Sequence, residues 1–173
     1  MSKYRSDTLN FKESFGKTHL FGKTALVLSS WFGVGLIPVA PGTCGTLAAV
    51  PLFFGMKYIG ILYSVIFLIV FIPMAVWVSG ISKTLLGRDD PPEVVIDEVA
   101  GFMLALFLLP LTWGSLILGF LLFRVFDILK PFPIGRLEKI RGGIGIVVDD
   151  LMAGVYANFC VRVLLSVLFF MTN

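Results

Sequence analysis

The apolar stretch from Leu47 to Ile81 contains a single charged residue, Lys57. It is longer than the ~20 apolar residues that one helix needs to cross a bilayer. Lys57 lies between Gly55 and Gly60, and glycine adopts the backbone conformations of a chain reversal at little cost. We therefore predict a helical hairpin that turns near Lys57. A single long helix is the alternative.

The composition of the 173-residue chain points to the same apolar environment, because 57% of the residues are apolar, 14% are charged and the mean hydropathy is +0.95. That is too little polar surface to cover a soluble globule of this size. Five segments are apolar enough to cross or enter a bilayer: 47–57, 58–80, 99–110, 114–129 and 151–171. The first and third are short, and the third and fourth are predicted to form a second hairpin. The expected fold is one all-α domain over residues 1–173, an integral membrane helical bundle of about four to five membrane-inserted helices, two of them short.

Basic residues predict how this bundle is oriented. Five of them precede residue 24, and six more follow the two hairpins: Lys83, Arg88, Lys130, Arg136, Lys139 and Arg141. With two hairpins these residues share one face, whereas the opposite turns hold Lys57, so the positive-inside rule makes the basic face cytoplasmic. Residues 1–24 then form a polar cytoplasmic segment in which no secretory signal peptide is expected. The glycine-rich segment 25–40 is predicted to lie in the membrane interface or to re-enter.

The stretch PGTCGT at residues 41–46 directly precedes the first apolar segment. Glycine lets backbone N–H groups converge, and a threonine at the start of a helix caps it, which makes Thr43, Gly45 and Thr46 candidate phosphate-binding residues. An ordinary capped turn is the structural explanation of the same stretch.

The stretch DPPEVVIDEVAG at residues 90–101 places Asp97 and Glu98 in the early turns of a predicted helix. Acidic side chains there complement the helix dipole, which is a structural reason for them. Neighbouring residues on a helix point ~100° apart, however, so one of the two acids must face protein or lipid. An ionisable residue in that position favours a functional role.

Arg124, Asp127 and Lys130 are spaced by three residues and form one stripe on a helix that Pro131 ends. A salt bridge at a helix end, with bases that reach towards water, explains the stripe structurally. In the functional interpretation, Asp127 binds a metal, and Arg124 and Lys130 bind phosphate.

The stretch GIGIVVDD at residues 143–150 places Asp149 and Asp150 directly before the last apolar segment. One of them as a helix N-cap, with its neighbour in solvent, is the structural explanation. In the functional interpretation both are metal ligands.

The acidic candidates come from three helix ends on one predicted membrane face: Asp97, Glu98, Asp127, Asp149 and Asp150. A divalent cation would relieve their mutual repulsion, and oxygen ligands without His or Cys favour Mg²⁺ over zinc. With Arg124 and Lys130 beside them, phosphoryl chemistry on a lipid is predicted. His19, the one histidine, lies in the polar N-terminal segment and argues against a histidine nucleophile. Metal-assisted attack by water then remains.

The four stretches GLIPVAPGTCGTL, DPPEVVIDEVAG, FRVFDILKPFP and GIGIVVDDLMAG together resemble the phosphatidylglycerophosphatase A family of bacteria. The resemblance implies a Mg²⁺-dependent, multi-pass phosphatase of the bacterial inner membrane, with its active site facing the cytoplasm. Its reaction would hydrolyse phosphatidylglycerophosphate to phosphatidylglycerol and inorganic phosphate. The matched catalytic positions are Asp97, Glu98, Asp127, Lys130, Asp149 and Asp150, and the matched threonine-glycine turn is Thr43, Gly45 and Thr46.

Two other functions remain open at this stage. A small cation-binding transporter would need ionisable residues deep within spans, and Arg162 is the residue that lies near the middle of an apolar segment. A phosphatase for another phosphomonoester would share every motif. The expected partner is a phospholipid substrate in the membrane, and neither a nucleic acid nor an obligate protein partner is expected.

Overall fold

The computed structural model describes residues 2–137, 140 and 142–172. Within those ranges the secondary structure is helical throughout, which confirms the predicted all-α class. The helices are α1 (Ser2–Lys17), α2 (Leu20–Ser29), α3 (Pro41–Ala48), α4 (Val50–Ile59), α5 (Ile61–Leu86), α6 (Ile96–Ala105), α7 (Trp113–Leu129), α8 (Ile134–Leu137) and α9 (Gly143–Thr172), with a 3₁₀ turn at Val34–Leu36. Lys139 and Arg141, which contributed to the predicted orientation, lie outside the described residues.

Among the described helices, α5 and α9 are each long and apolar enough to cross a membrane. Large apolar side chains on α5, α7 and α9 are exposed, among them Ile66, Ile69, Val70, Ile117, Leu121, Val125, Phe159, Val163 and Val167. Exposed apolar surface of this extent indicates contact with an apolar medium. The protein is therefore membrane-associated, whereas the count of four to five inserted helices stays a prediction.

The first predicted hairpin turns at Gly60, between α4 and α5. Gly60 has a φ of +83°, in the left-handed region that favours glycine, and the Ser64 hydroxyl donates to the Met56 carbonyl oxygen at 2.7 Å across the turn. One predicted boundary here is wrong, because the segment 47–57 is divided at Ala49, where α3 ends and α4 begins.

The start of α9 is a second correction. The helix begins at Gly143 rather than at residue 151, so it contains the whole GIGIVVDD stretch. A Cβ built on Gly143 would collide with the Val76 carbonyl oxygen and lie 2.6 Å from the Gly80 nitrogen. Gly143 thus lets the first turn of α9 pack directly on the backbone of α5.

The core of the bundle is centred on α6, which is almost entirely buried and contacts α5, α7 and α9. Its contact with α9 is formed by two glycines, Gly101 and Gly154. A Cβ on Gly101 would lie 2.5 Å from the Asp150 carbonyl oxygen, and a Cβ on Gly154 would collide with the Gly101 carbonyl oxygen. The two helices are therefore in backbone contact, which brings the acids of α6 next to those of α9.

The C-terminal end of α6 is attached to α9 by polar side chains. Asn158 Nδ2 donates to the carbonyl oxygens of Ala105 and Phe107 at 2.9 and 2.8 Å, and Arg162 donates to the Phe107 carbonyl oxygen at 3.0 Å. These bonds satisfy carbonyl groups that a helix end leaves without an intrahelical partner. Arg162 therefore caps α6, at the opposite end from Asp97 and Glu98.

The N-terminal helices pack against the last turns of α5. The Ser14 hydroxyl of α1 donates to the Leu85 carbonyl oxygen at 3.0 Å, and the hydroxyls of Ser29 in α2 and Ser82 in α5 are 2.7 Å apart. The segment 25–40 then turns through Trp31 and Phe32, both with positive φ, before α3. Its insertion into the membrane interface stays a prediction.

Candidate active site

A cavity of about 770 Å³ lies at the end of the bundle where α6 begins and α7 ends. Of the described residues, its wall holds the basic side chains of Lys83, Arg124 and Lys130 and the acidic side chains of Asp89, Asp90, Asp97, Glu98, Asp127, Asp149 and Asp150. All five acids proposed from the sequence thus share one cavity with the two proposed phosphate-binding bases. The volume is in the range of small-molecule sites in proteins.

Three of the acids form a compact group inside this cavity. One ligand oxygen each from Asp97, Glu98 and Asp150 lies within 4.8 Å of the other two. Asp97 and Glu98 are in the first turn of α6, and Asp150 is in α9 directly beside the Gly101 contact. The backbone contact between α6 and α9 is therefore what brings the three carboxylates together.

Burial makes the charged form of this group costly. It raises the pKa of Asp97 well above its usual range, to which the neighbouring Glu98 carboxylate adds, and it raises the pKa of Glu98 to about 7. Carboxylates this close and this buried need a cation to be fully ionised. Among the described residues, Glu98 Oε2 is also a buried oxygen without a hydrogen-bond partner, and such atoms are rare unless an ion or water binds them.

The other two acids pair with the bases. Lys130 Nζ donates to Asp149 Oδ2 at 2.7 Å, and Arg124 Nη1 lies 2.6 Å from Asp127 Oδ2. The second oxygen of Asp149, Oδ1, is buried without a hydrogen-bond partner among the described residues. The five acids proposed as ligands thus divide into a group of three and two ion-paired residues.

The structural explanation of Asp149 and Asp150 as an N-cap does not hold, because α9 begins at Gly143. Both residues lie inside the helix, and both are buried. Being adjacent, they point in different directions from the helix axis. Asp150 faces the acids of α6, and Asp149 faces Lys130.

The threonine-glycine stretch differs most from its prediction. Its residues form α3 rather than a turn, the N-cap is Ala40 with no side-chain cap, and the Thr46 hydroxyl donates to the Gly42 carbonyl oxygen at 2.8 Å. Of the described residues, those lining the cavity do not include Thr43, Gly45 or Thr46. The cavity is instead lined by Gly42, in the first turn of α3. Free N–H groups and the positive end of the helix dipole lie in that turn.

Gly42→Ala is expected to lower phosphate release by about tenfold, because the new methyl group would displace the side chain of Glu98, a proposed catalytic residue. A Cβ at this position would collide with Glu98 Oε1 and lie 3.3 Å from Arg124 Nη1. The measurement is the rate at saturating substrate. Gly33→Ala is not a suitable control, because the φ of Gly33 is +92° and alanine would be strained there. Gly16→Ala is the suitable control, since Gly16 has open space around it. Equal activity of the two variants would contradict the close packing at Gly42.

Sequence reasoning missed several cavity residues. Gly42 had a usable signal, because proline is favoured at the first helical position and Pro41 therefore marks Gly42 as part of a first helical turn. Lys83 had a weaker one, a lone base at the end of an apolar run. Asp89 and Asp90 precede two prolines and were not proposed as site residues.

Comparison with known proteins decides the family. A sequence model of the family described as Phosphatidylglycerophosphatase A matches residues 27–165. This range contains every candidate site residue named above and no part of the polar N-terminal segment. The chain belongs to the phosphatidylglycerophosphatase A family. No solved structure matches the chain.

Relatives within and near the phosphatidylglycerophosphatase A family cover most of the chain. The phosphatidylglycerophosphatase A of Escherichia coli is 36% identical over 132 residues, which is 75% of this chain and 76% of its own. That of Haemophilus influenzae is 37% identical over 134 residues, which is 76% of this chain and 82% of its own. A Bacteroides thetaiotaomicron protein, whose name proposes a phosphatidylinositol-3-phosphatase, is 34% identical over 146 residues, 80% of this chain and 91% of its own. The predicted enzyme class, a phosphoric monoester hydrolase of the phosphatidylglycerophosphatase A family, is confirmed.

Proposed function

We propose that the protein is a Mg²⁺-dependent phosphatase that hydrolyses phosphatidylglycerophosphate to phosphatidylglycerol and inorganic phosphate. The observation that carries the proposal is the group formed by Asp97, Glu98 and Asp150 in a cavity that also holds Arg124 and Lys130. The group supplies carboxylate oxygens for a hard divalent cation, and the two bases supply charge for a phosphate. Membership of the family supports the choice of substrate.

Mg²⁺ fits the oxygen atoms that these residues offer. The proposed ligands are Asp97, Glu98 and Asp150. Among the described residues Glu98 Oε2 has no hydrogen-bond partner, which supports its proposed role as a ligand oxygen. When bound, the ion supplies Lewis acidity, which favours deprotonation of water and neutralises phosphoryl oxygens.

The chain's own residues account for the remaining requirements of hydrolysis. In the reaction, a bond forms between phosphorus and the water oxygen while the bond between phosphorus and the glycerol oxygen breaks. Lys130 and Arg124 stabilise the negative charge on the phosphoryl oxygens. Asp149 Oδ1, held in place through the Lys130 bond to Oδ2, accepts a proton from the water. The departing glycerol oxygen takes a proton from solvent water and leaves as an alcohol, and Asp149 returns its proton to solvent.

The proposed location is the bacterial inner membrane, crossed more than once, with the cavity facing the cytoplasm. The bases Lys83, Arg124 and Lys130 lie at the cavity end of the bundle, whereas Lys57 lies near the turn that follows α6, which supports this orientation. This position suits the substrate, whose phosphate lies at the headgroup level while its acyl chains stay in the bilayer. The family's enzymatic class favours this reading over the cation transporter.

A second candidate substrate is a phosphoinositide, favoured by the name of the Bacteroides thetaiotaomicron relative and by the length of its match. Phosphatidylinositol 3-phosphate and phosphatidylglycerophosphate both carry a phosphomonoester and, separately, the phosphodiester that links the headgroup to diacylglycerol. The same ion and the same bases would act on the monoester of either lipid.

The test is phosphate release by the purified protein from the two lipids in mixed micelles. We expect release from phosphatidylglycerophosphate in Mg²⁺ and its loss when EDTA removes the ion, with recovery when Mg²⁺ is returned in excess. A faster release from phosphatidylinositol 3-phosphate would assign the second substrate. No Mg²⁺-dependent release from either lipid would refute the proposed function.

A further inference from the structure

Lys83 is a cavity residue that the proposed mechanism does not use. It lies in the last turn of α5, a helix that contributes no acid to the described cavity wall. Its side chain is 23% exposed, and its Nζ lies 2.9 Å from Oδ1 of Asp89, whose side chain is 100% exposed. A largely buried ammonium group is thus paired with a carboxylate that is fully in water.

This pairing differs from those of the other two bases in the cavity. Lys130 is bound to Asp149, and Arg124 to Asp127, whose side chains are 6% and 13% exposed. Ion pairs with exposed partners contribute little stability, whereas breaking a buried pair leaves an uncompensated charge. Lys83 can therefore exchange its partner for a substrate group at a lower cost than Arg124 or Lys130.

The proposed substrate has a group that would be such a partner. Phosphatidylglycerophosphate carries a phosphodiester as well as the phosphomonoester, and the monoester is already bound by the ion, Arg124 and Lys130. The remaining wall is mostly acidic, with Asp89 and Asp90 on the segment between α5 and α6. A phosphodiester anion near these residues needs a cation to offset the repulsion.

We propose that Lys83 binds the phosphodiester of the lipid headgroup, releasing Asp89 as it does so, and thereby selects lipids that carry a phosphodiester in addition to the phosphomonoester. This inference rests on the proposed function. It gives the site two separate anion positions: one at the ion for the group that is cleaved, and one at Lys83 for the group that is retained.

The two positions can be probed separately with inhibitors that occupy one of them. Phosphatidylglycerol carries only the phosphodiester, and inorganic phosphate resembles only the group that is cleaved. In Lys83→Met, we expect the inhibition constant of phosphatidylglycerol, at fixed micelle composition, to rise about tenfold, the size of one lost charge-assisted hydrogen bond. The inhibition constant of inorganic phosphate should not change. The KM for phosphatidylglycerophosphate should rise with kcat retained, because binding outside the reacting bonds is lost.

Two further variants separate this role from a structural one. Lys83→Arg keeps the charge and should restore most of the affinity for phosphatidylglycerol. Lys17→Gln breaks an exposed ion pair of α1, with Glu13, and is the matched control that should change neither constant. Asp89→Asn removes the competing carboxylate and should tighten phosphatidylglycerol inhibition by a few-fold.

The possible outcomes lead to different conclusions. Unchanged inhibition by phosphatidylglycerol in Lys83→Met would overturn the inference while leaving the proposed function intact. Equal weakening of both inhibitors would also overturn it, because Lys83 would then act at the cleaved phosphate or through the fold. If the unmodified protein released no phosphate from phosphatidylglycerophosphate, the proposed function would fail and this inference with it.

Discussion

Asp150→Asn is expected to lower phosphate release by at least ~10²-fold, because it removes a carboxylate from the group proposed to bind Mg²⁺. Asp150 lies in α9, beside Asp97 and Glu98 of α6, and is buried. Asparagine keeps the size and one oxygen of the side chain but loses the charge. The measurement is kcat/KM for phosphatidylglycerophosphate over a range of Mg²⁺ concentrations, in which the variant should also need more Mg²⁺.

Thermal unfolding distinguishes a lost ion site from a damaged fold. In EDTA, Asp150→Asn should be at least as stable as the unmodified protein, because one of three mutually repelling buried carboxylates is gone. Mg²⁺ should raise the midpoint of thermal unfolding of the unmodified protein, since a ligand that binds the folded state stabilises it. It should raise the midpoint of Asp150→Asn far less. Glu13→Gln, at an exposed position on α1, is the control. A fully active Asp150→Asn protein would show that the carboxylate group is not the ion site.

Gly101→Ala is expected to lower activity by a comparable factor, ~10²-fold, because displacing catalytic groups by ~1 Å has effects of that size. The new Cβ would lie 2.5 Å from the carbonyl oxygen and 2.8 Å from the carbonyl carbon of Asp150, which are backbone atoms and cannot rotate away. The helices α6 and α9 must then separate, and Asp150 moves away from Asp97 and Glu98. Overpacking of this kind also costs ~1–3 kcal/mol of stability.

The control for Gly101→Ala is Gly55→Ala, in α4, where a Cβ would have nothing within 4 Å. Alanine has the higher helix propensity, so this variant should be as stable as the unmodified protein or slightly more so. Activity and the midpoint of thermal unfolding are measured for both variants. Full activity of Gly101→Ala, with Mg²⁺ dependence unchanged, would show that backbone contact between α6 and α9 is not needed to position the acids.

The acidic residues of the site were predictable because charge is conspicuous at the edge of an apolar segment. Asp97, Glu98, Asp127, Asp149 and Asp150 each lie at such an edge, and all of them line the cavity. Their division into a group of three and two ion-paired residues was not predictable. It depends on the direction of each side chain across a helix contact between residues about fifty positions apart in sequence.

The boundaries of the helices were predicted less well, for reasons that lie in tertiary packing. The start of α9 was missed because glycine is a poor helix former and GIGIVV contains no Ser, Thr, Asp or Asn to mark an N-cap. In the structure, Gly143 is helical because its lack of a side chain lets α9 pack against Gly80 of α5. The expected threonine cap is absent from α3 for a local reason, since the Thr46 hydroxyl bonds to the Gly42 carbonyl oxygen within the helix. The phosphate-binding role of Thr46 stays a prediction.

The attachment of α6 to α9 at both ends has a consequence for how the enzyme takes up a lipid. Near the cavity the two helices meet at Gly101 and Gly154, and at the far end Asn158 and Arg162 hold the last carbonyl groups of α6. The two helices are thus expected to move as one rigid body. If the cavity widens to admit the headgroup of a diacyl lipid, the parts that move are then α7 and the segment between α5 and α6. If Mg²⁺ binds as proposed, the spacing of its ligands stays constant while successive substrate molecules enter and leave, and turnover does not require the ion to dissociate.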